Sequence, residues 1–212
     1  VLAEFGLEGD TRKLNQEAAE IARAACVAAG GSRYVLGSIG PGTRLLTLGQ
    51  TDWSAIHDSY RTQIDGLLDG GVDALLVETC QDPLQIRCAV HAALHALEAR
   101  GLGPEQLPIM VSVTVETTGT LLVGSEIAAV AATLRRLPVA SLGLNCATGP
   151  AEMTPHVEWL AQHWDRPISV VPNAGLPILV DGRTEYPLQA GPMAQRMSGF
   201  VGDLDVLSLI HI

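Results

Sequence analysis

Apolar positions along this chain follow two periods in alternation. From Asp10 to Ala29, Leu14, Ala18, Ile21 and Ala25 recur at the spacing of one helical stripe, which predicts an amphipathic helix. Arg33 to Ser38 is a short strand-like run that ends in turn chemistry, with Gly37, Gly40, Pro41 and Gly42. Trp53 to Asp69 returns to helical spacing through Ile56, Tyr60, Ile64 and Leu67, and Asp52 stands where a side chain can cap the first turn. The unit then repeats. Strands are predicted over Val72–Glu78, Ile109–Val115, Ala140–Asn145 and Ile168–Pro172, and helices over Pro83–Arg100, Glu126–Arg136 and Ala151–His163. Strands apolar on both faces, alternating with amphipathic helices, point to parallel βαβ units in which helices cover the sheet.

An open doubly wound sheet and a closed (β/α)₈ barrel both satisfy that alternation. A full barrel takes about 250 residues and eight strands. The pattern here supplies five strands and opens in a loop-like stretch from Val1 to Gly9. The expectation is therefore an α/β fold, a parallel TIM barrel incomplete at both ends.

Composition narrows the functional classes. A chain of 212 residues is long enough for one sizeable core. No apolar run approaches the eighteen residues or more of a membrane span, and no leader-like pattern opens the sequence, so a cytoplasmic setting away from membranes is expected. Thirteen Lys and Arg against 23 Asp and Glu give a net charge of -10, and Lys13 is the lone lysine. A basic face able to neutralise phosphates cannot be assembled, which argues against nucleic acid as a partner. The four cysteines, Cys26, Cys80, Cys88 and Cys146, form no C-x-x-C pair and read as reduced thiols.

In either fold the loops at the carboxyl ends of the strands converge on one face, so chemistry is sought there. Those ends carry Ser38-Ile39-Gly40-Pro41, Glu78-Thr79, Val115 to Gly119, Asn145-Cys146 and Pro172-Asn173-Ala174-Gly175. Cys146 closes an apolar run before a turn. A thiol there serves as nucleophile or metal ligand, or packs as a small hydrophobe. Glu78 ends an otherwise apolar strand, where an unpartnered carboxylate costs several kcal/mol, so a ligand is its expected counterpart. Asn173 either offers its amide to a ligand or shapes a turn. The Gly37 to Gly42 segment lacks the lysine and spacing of a phosphate loop. His91 and His95 stand four apart on a predicted helix, a spacing compatible with metal, but without the H-E-x-x-H glutamate they read as helix surface. Cys80 and Cys88 read as packing.

Four of these motifs in order resemble the homocysteine S-methyltransferase family: Gly37 to Pro41, Gly70 to Thr79, Gly143 to Pro150 and Pro172 to Pro177. Val113 to Thr120 and Asp181 to Leu188 are most similar to the homocysteine modules of cobalamin-dependent methionine synthases. The resemblance implies a (β/α)₈ barrel that makes methionine by methylating homocysteine, with a zinc ion held by three cysteine thiolates at the barrel mouth. Cys146 would be the first of them, and the other two would come from a Cys-Cys pair that this sequence does not contain. It further implies that Glu78 holds the homocysteine ammonium, that Asn145 and Asn173 shape the pocket and bind substrate near its amino-acid end, and that Ser38 contributes to the substrate-binding wall. The methyl group would come from cobalamin, replenished from methyltetrahydrofolate by other modules of the same polypeptide. S-methylmethionine or betaine as donor, and a non-catalytic ligand-binding barrel fragment, stand as alternatives. The opening motif of the family is absent, and Leu207 to Ile212 does not resemble it. A partial barrel domain over 1–206 with an unrelated tail over 207–212 is the expected organisation.

Overall fold

The computed structural model describes residues 2–204, 206, 208 and 209. The chain divides into two compact units, residues 1–77 with 84–110, and residues 78–83 with 111–212.

In the first unit, α1 (Thr11–Ala29), β1 (Leu36–Ile39), α2 (Trp53–Asp69) and the body of α3 (Pro83–Glu98) follow two short 3-10 turns. The cap expected of Asp52 is present: its carboxylate accepts the Ala55 N–H and the Ser54 hydroxyl, satisfying donors that the first helical turn leaves open. The amino-terminal part of β2 (Ala74–Cys80) lies parallel to β1, with Leu36 opposite Ala74 and Ile39 opposite Val77. On its other side, Leu75 N–H donates to the Pro108 carbonyl just ahead of β3 (Ile109–Val113).

The helical stripe predicted for α1 is not its buried face. Leu14 is 41% exposed and Ile21 72%, whereas Ala19 is buried. Two glycines at the end of α2 explain the choice. A Cβ on Gly66 would lie 2.2 Å from the Arg12 carbonyl oxygen, and one on Gly70 would lie 2.6 Å from the Ala19 Cβ. Missing side chains on α2 thus let the backbones approach at the face that carries Arg12, Asn15, Gln16 and Ala19. That close contact, with Arg12 paired to Asp69, outweighs the larger apolar residues one face away.

The second unit carries the strand ends. The carboxyl end of β2, then β3, β4 (Ser141–Asn145) and β5 (Ile168–Val171) are neighbours in that order, and Ser208–Leu209 (β8) pairs parallel with β5. Leu142 stands opposite Ile168 and Asn145 opposite Val171. All five residues of β4 are buried, as expected for a strand covered on both faces. α4 (Ile127–Leu134) and α5 (Pro150–His163) fill the predicted helical positions. In α5, Pro150 opens the helix at a position that needs no N–H, and Glu152 turns back to accept the Gly149 N–H at 3.1 Å.

Two features go beyond the sequence expectation. Ile178–Val180 (β6) and Arg183–Glu185 (β7) form an antiparallel hairpin closed by Asp181 and Gly182, both at positive φ, the geometry of a two-residue primed turn. A further helix, α6 (Ala190–Leu204), follows and packs with α5. Of the 207–212 tail, only residues 208 and 209 lie within the described residues. Among the described residues, no helix is long and apolar enough to cross a membrane.

Candidate active site

The second unit gathers most of the predicted site residues at the carboxyl ends of its strands, and one side chain organises them. Asn145, the last residue of β4, is buried at 6% exposure. Its Oδ1 accepts the Thr79 N–H at 3.1 Å and the Ser112 hydroxyl at 2.8 Å, while its Nδ2 donates to Thr79 Oγ1 at 2.8 Å. A backbone N–H can only donate, so the Thr79 amide fixes which end of the Asn145 amide faces it. The Asn145 carbonyl is held as well, accepting from Thr114 Oγ1 at 3.0 Å. β2, β3 and β4 are thereby joined at their ends through a single buried amide.

The residues flanking this pair are the carboxylate and the thiol that the sequence marks as candidates. Glu78 precedes Thr79 and is half-buried at the end of β2; Cys146 follows Asn145 and is exposed. Backbone conformation marks both turns. Thr79 has φ 58°, Cys146 φ 64° and Ala147 φ 55°, the left-handed region that β-branched residues above all avoid. Such conformations cost on the order of 1–3 kcal/mol each and persist where their surroundings over-determine them. The two bonds from Asn145 to Thr79, at roughly 0.5–1.5 kcal/mol net apiece, are of the size needed to offset the Thr79 strain.

Asn173 reaches the same neighbourhood through the backbone. Cys146 N–H donates to the Val171 carbonyl at 3.1 Å, Thr148 N–H to the Cys146 carbonyl at 2.7 Å, and Asn173 N–H to the Thr148 carbonyl at 3.0 Å. Asn173 is half-buried beside this ladder. Gly149 and Gly175 let the two loops touch: a Cβ on Gly149 would lie 2.8 Å from the Gly175 Cα. After β3, Gln81 Nε2 donates to a Glu116 carboxylate oxygen, adding a polar pair beside Thr114. Ser38 belongs to the first unit, where it is exposed near the end of β1 and its carbonyl accepts from Gln63 Nε2 at 3.2 Å.

Thr79, Ser112 and Thr114 were not singled out from the sequence. Ser112 and Thr114 had a signal, being hydroxyls inside a run otherwise as apolar as Ile109-Met110-Val111, yet their partner lies on another strand and could not be named.

Cys80 and Cys88 are inert by environment. Burial, together with the Glu78 and Asp82 carboxylates, pushes the Cys80 thiol up to about 12, and burial pushes Cys88 up to about 11. Both remain protonated at neutral pH, in keeping with packing roles. In the first unit, His57 joins the His91 and His95 pair, with His57 Nε2 2.9 Å from His95 Nδ1. Among the described residues, however, no group of three or more His, Cys, Asp or Glu side chains is arranged to hold a metal ion. Cys146 is in the same position: it offers one soft donor, and the described residues do not complete a zinc site around it.

A family profile described as homocysteine S-methyltransferase matches residues 1–210. The chain belongs to the homocysteine S-methyltransferase family. Methionine synthase from Mycobacterium leprae is 46% identical over 99% of the chain, and that from Mycobacterium tuberculosis is 46% identical over the same share. The chain spans only 17% of the length of either. Among solved structures, the homocysteine methyltransferase MmuM from Escherichia coli in its metallated form superimposes with a TM-score of 0.71 at 22% identity, over 99% of this chain and 69% of that one. The α/β barrel expected from the sequence is thus the fold of this methyltransferase family, and the chain covers part of it.

Proposed function

We propose that this chain is the homocysteine-binding module of a methionine synthase, in which the sulfur of homocysteine accepts a methyl group to give methionine. The observation that carries this is the Thr79–Asn145 pair, which sets a carboxylate (Glu78) and an exposed thiol (Cys146) at the ends of strands in one sheet. Glu78 binds the ammonium group through a charge-assisted hydrogen bond. Asn145 and Asn173 shape the amino-acid end of the pocket.

A free thiol is only a few per cent ionised at neutral pH, so the reaction needs the homocysteine sulfur presented as thiolate. A zinc ion held in part by Cys146 would supply that, since a metal-bound thiol loses its proton. By the family resemblance Cys146 would be one thiolate ligand, and the two further thiolates are not in this sequence. The methyl donor is methylcobalamin, recharged from methyltetrahydrofolate by further modules of the polypeptide. The 46% identity to two methionine synthases along the whole chain favours that donor over S-methylmethionine or betaine.

Methyl-donor competition in the intact polypeptide tests the proposal. Methylcobalamin with methyltetrahydrofolate is expected to support methionine formation from homocysteine. Turnover with S-methylmethionine or betaine alone would overturn the donor assignment, and no homocysteine-dependent methionine with any donor would overturn the function.

Glu78→Gln keeps size and hydrogen bonding but removes the charge that faces an ammonium. It is expected to weaken homocysteine binding by about tenfold, the equivalent of roughly 1.4 kcal/mol, as lost charge assistance on one hydrogen bond predicts. Titration calorimetry with homocysteine reads it, and an unchanged dissociation constant would remove Glu78 from the site.

A further inference from the structure

We propose that Asn145 is a positioning residue that touches no substrate: its side-chain amide locks the end of β2 to the end of β4, so that Glu78 and Cys146 are held in one fixed relation. The inference rests on the site proposed above and gives that site its internal support.

Three observations carry it. The amide is largely committed within the protein, its oxygen accepting from two donors and one of its two Nδ2 hydrogens given to Thr79 Oγ1, and the residue is buried to 6% exposure. Homocysteine could take its oxygen only by displacing the Thr79 N–H or the Ser112 hydroxyl. Next, the partner that Asn145 grips at both backbone and side chain is a β-branched residue at φ 58°, a conformation that relaxes unless something holds it. Finally, the clamp sits between the functional groups in sequence as well as in space, with Glu78 adjoining Thr79 on one strand and Cys146 adjoining Asn145 on the other, across a separation of 66 residues. A one-residue shift of either strand end would turn its functional side chain to the opposite face. Ser112, buried on the strand between them, completes the grip from β3.

A substrate ligand at this position would give a different signature from a clamp. Asn145→Ala in the intact polypeptide is expected to do three things together. Homocysteine affinity should fall at least about tenfold, the range in which outer partners of binding groups act. The Thr79 amide should lose its protection from hydrogen exchange. The alkylation rate of Cys146 by iodoacetamide, measured without added metal, should change as its turn is released. Thr79→Val, which removes the Oγ1 acceptor while keeping the β-branch, should shift all three the same way, and Thr79→Ser should restore them. The double variant should be no worse than Asn145→Ala alone, because both break one unit. In turnover, kcat should fall as KM for homocysteine rises.

A weaker affinity with Thr79 exchange and Cys146 alkylation unchanged would overturn the proposal and make Asn145 a substrate ligand. Additive effects of Asn145→Ala and Thr79→Val would overturn it as well. Should Asn145→Ala fail to fold, Thr79→Val and Ser112→Ala report the same three quantities. A wild-type protein that does not bind homocysteine would defeat the site assignment, whereas the exchange and alkylation measurements would still decide the clamp.

Discussion

Cys146→Ser in the intact polypeptide is expected to take homocysteine-dependent methyl transfer below detection while the fold stays intact. The two halves of that expectation have separate causes. Cys146 is exposed at the end of β4 and held by its backbone, with its N–H on the Val171 carbonyl and its own carbonyl accepting from Thr148, so exchanging sulfur for oxygen leaves those bonds in place. What disappears is a sulfur donor suited to a soft cation, which a serine hydroxyl does not replace. Even outer partners of metal ligands are worth about 10–100-fold in activity, so loss of a first ligand sets a floor of roughly 100-fold. Steady-state methionine formation measures the loss, and circular dichroism checks the fold. Cys26→Ser and Cys88→Ala are the comparison variants, both expected to retain turnover. Undiminished turnover in Cys146→Ser would remove the thiol from the reaction and, with it, the assignment of this strand end as the centre of chemistry.

Legibility in the sequence tracked how local each determinant is. α2 was delimited at both ends by its own residues, with Asp52 as cap and a helical run to Asp69, and it forms over that range. β4 is expected over Ala140–Asn145 from its place between two helical runs, and it forms over Ser141–Asn145. The Asp181-Gly182 turn is equally local, but three-residue strands give too short an alternation to stand out from a loop. In α6 the helical pattern is blurred by Gly191, Pro192 and Gly202. The α1 face failed for a different reason: its buried side is selected by Gly66 and Gly70, on a helix some fifty positions later, and periodicity carries no information about a neighbour's missing side chain. The site divides the same way. Glu78 and Cys146 were visible as polar residues ending apolar strands, whereas the bonds that fix their backbones run through Thr79, Ser112 and Thr114 to one amide and exist only once three strands are side by side.

Gly143→Val is expected to be the most destabilising single change in the second unit. Gly143 stands opposite Ser169 in the β4–β5 register, and a Cβ there would lie 2.1 Å from Ser169 Oγ and 2.2 Å from the Ser169 carbonyl oxygen. A side-chain oxygen can rotate away, but the carbonyl is part of the strand, so the strands themselves would have to separate beyond their usual spacing of about 4.8 Å. Overpacking of this kind costs typically 1–3 kcal/mol, and a backbone obstacle on one side puts valine at the upper end of that range or above it. The damage should not stay local in function. Asn145 and Cys146 are the next residues but one and but two along β4, so widening the strand pair there should also loosen the Asn145 bonds to Thr79 and weaken homocysteine binding. Gly202→Ala is the matched control: it lies within α6 with nothing near the added methyl, and alanine in a helix is favoured over glycine by roughly 0.5–1 kcal/mol. Urea unfolding with peptide-resolved hydrogen exchange over residues 141–145 separates the two. Gly143→Val should lower the unfolding midpoint and expose the β4 amides, and Gly202→Ala should leave both unchanged or slightly improved. Equal midpoints for Gly143→Val and wild type would mean that β4 and β5 do not approach as closely as the Gly143–Ser169 pairing requires.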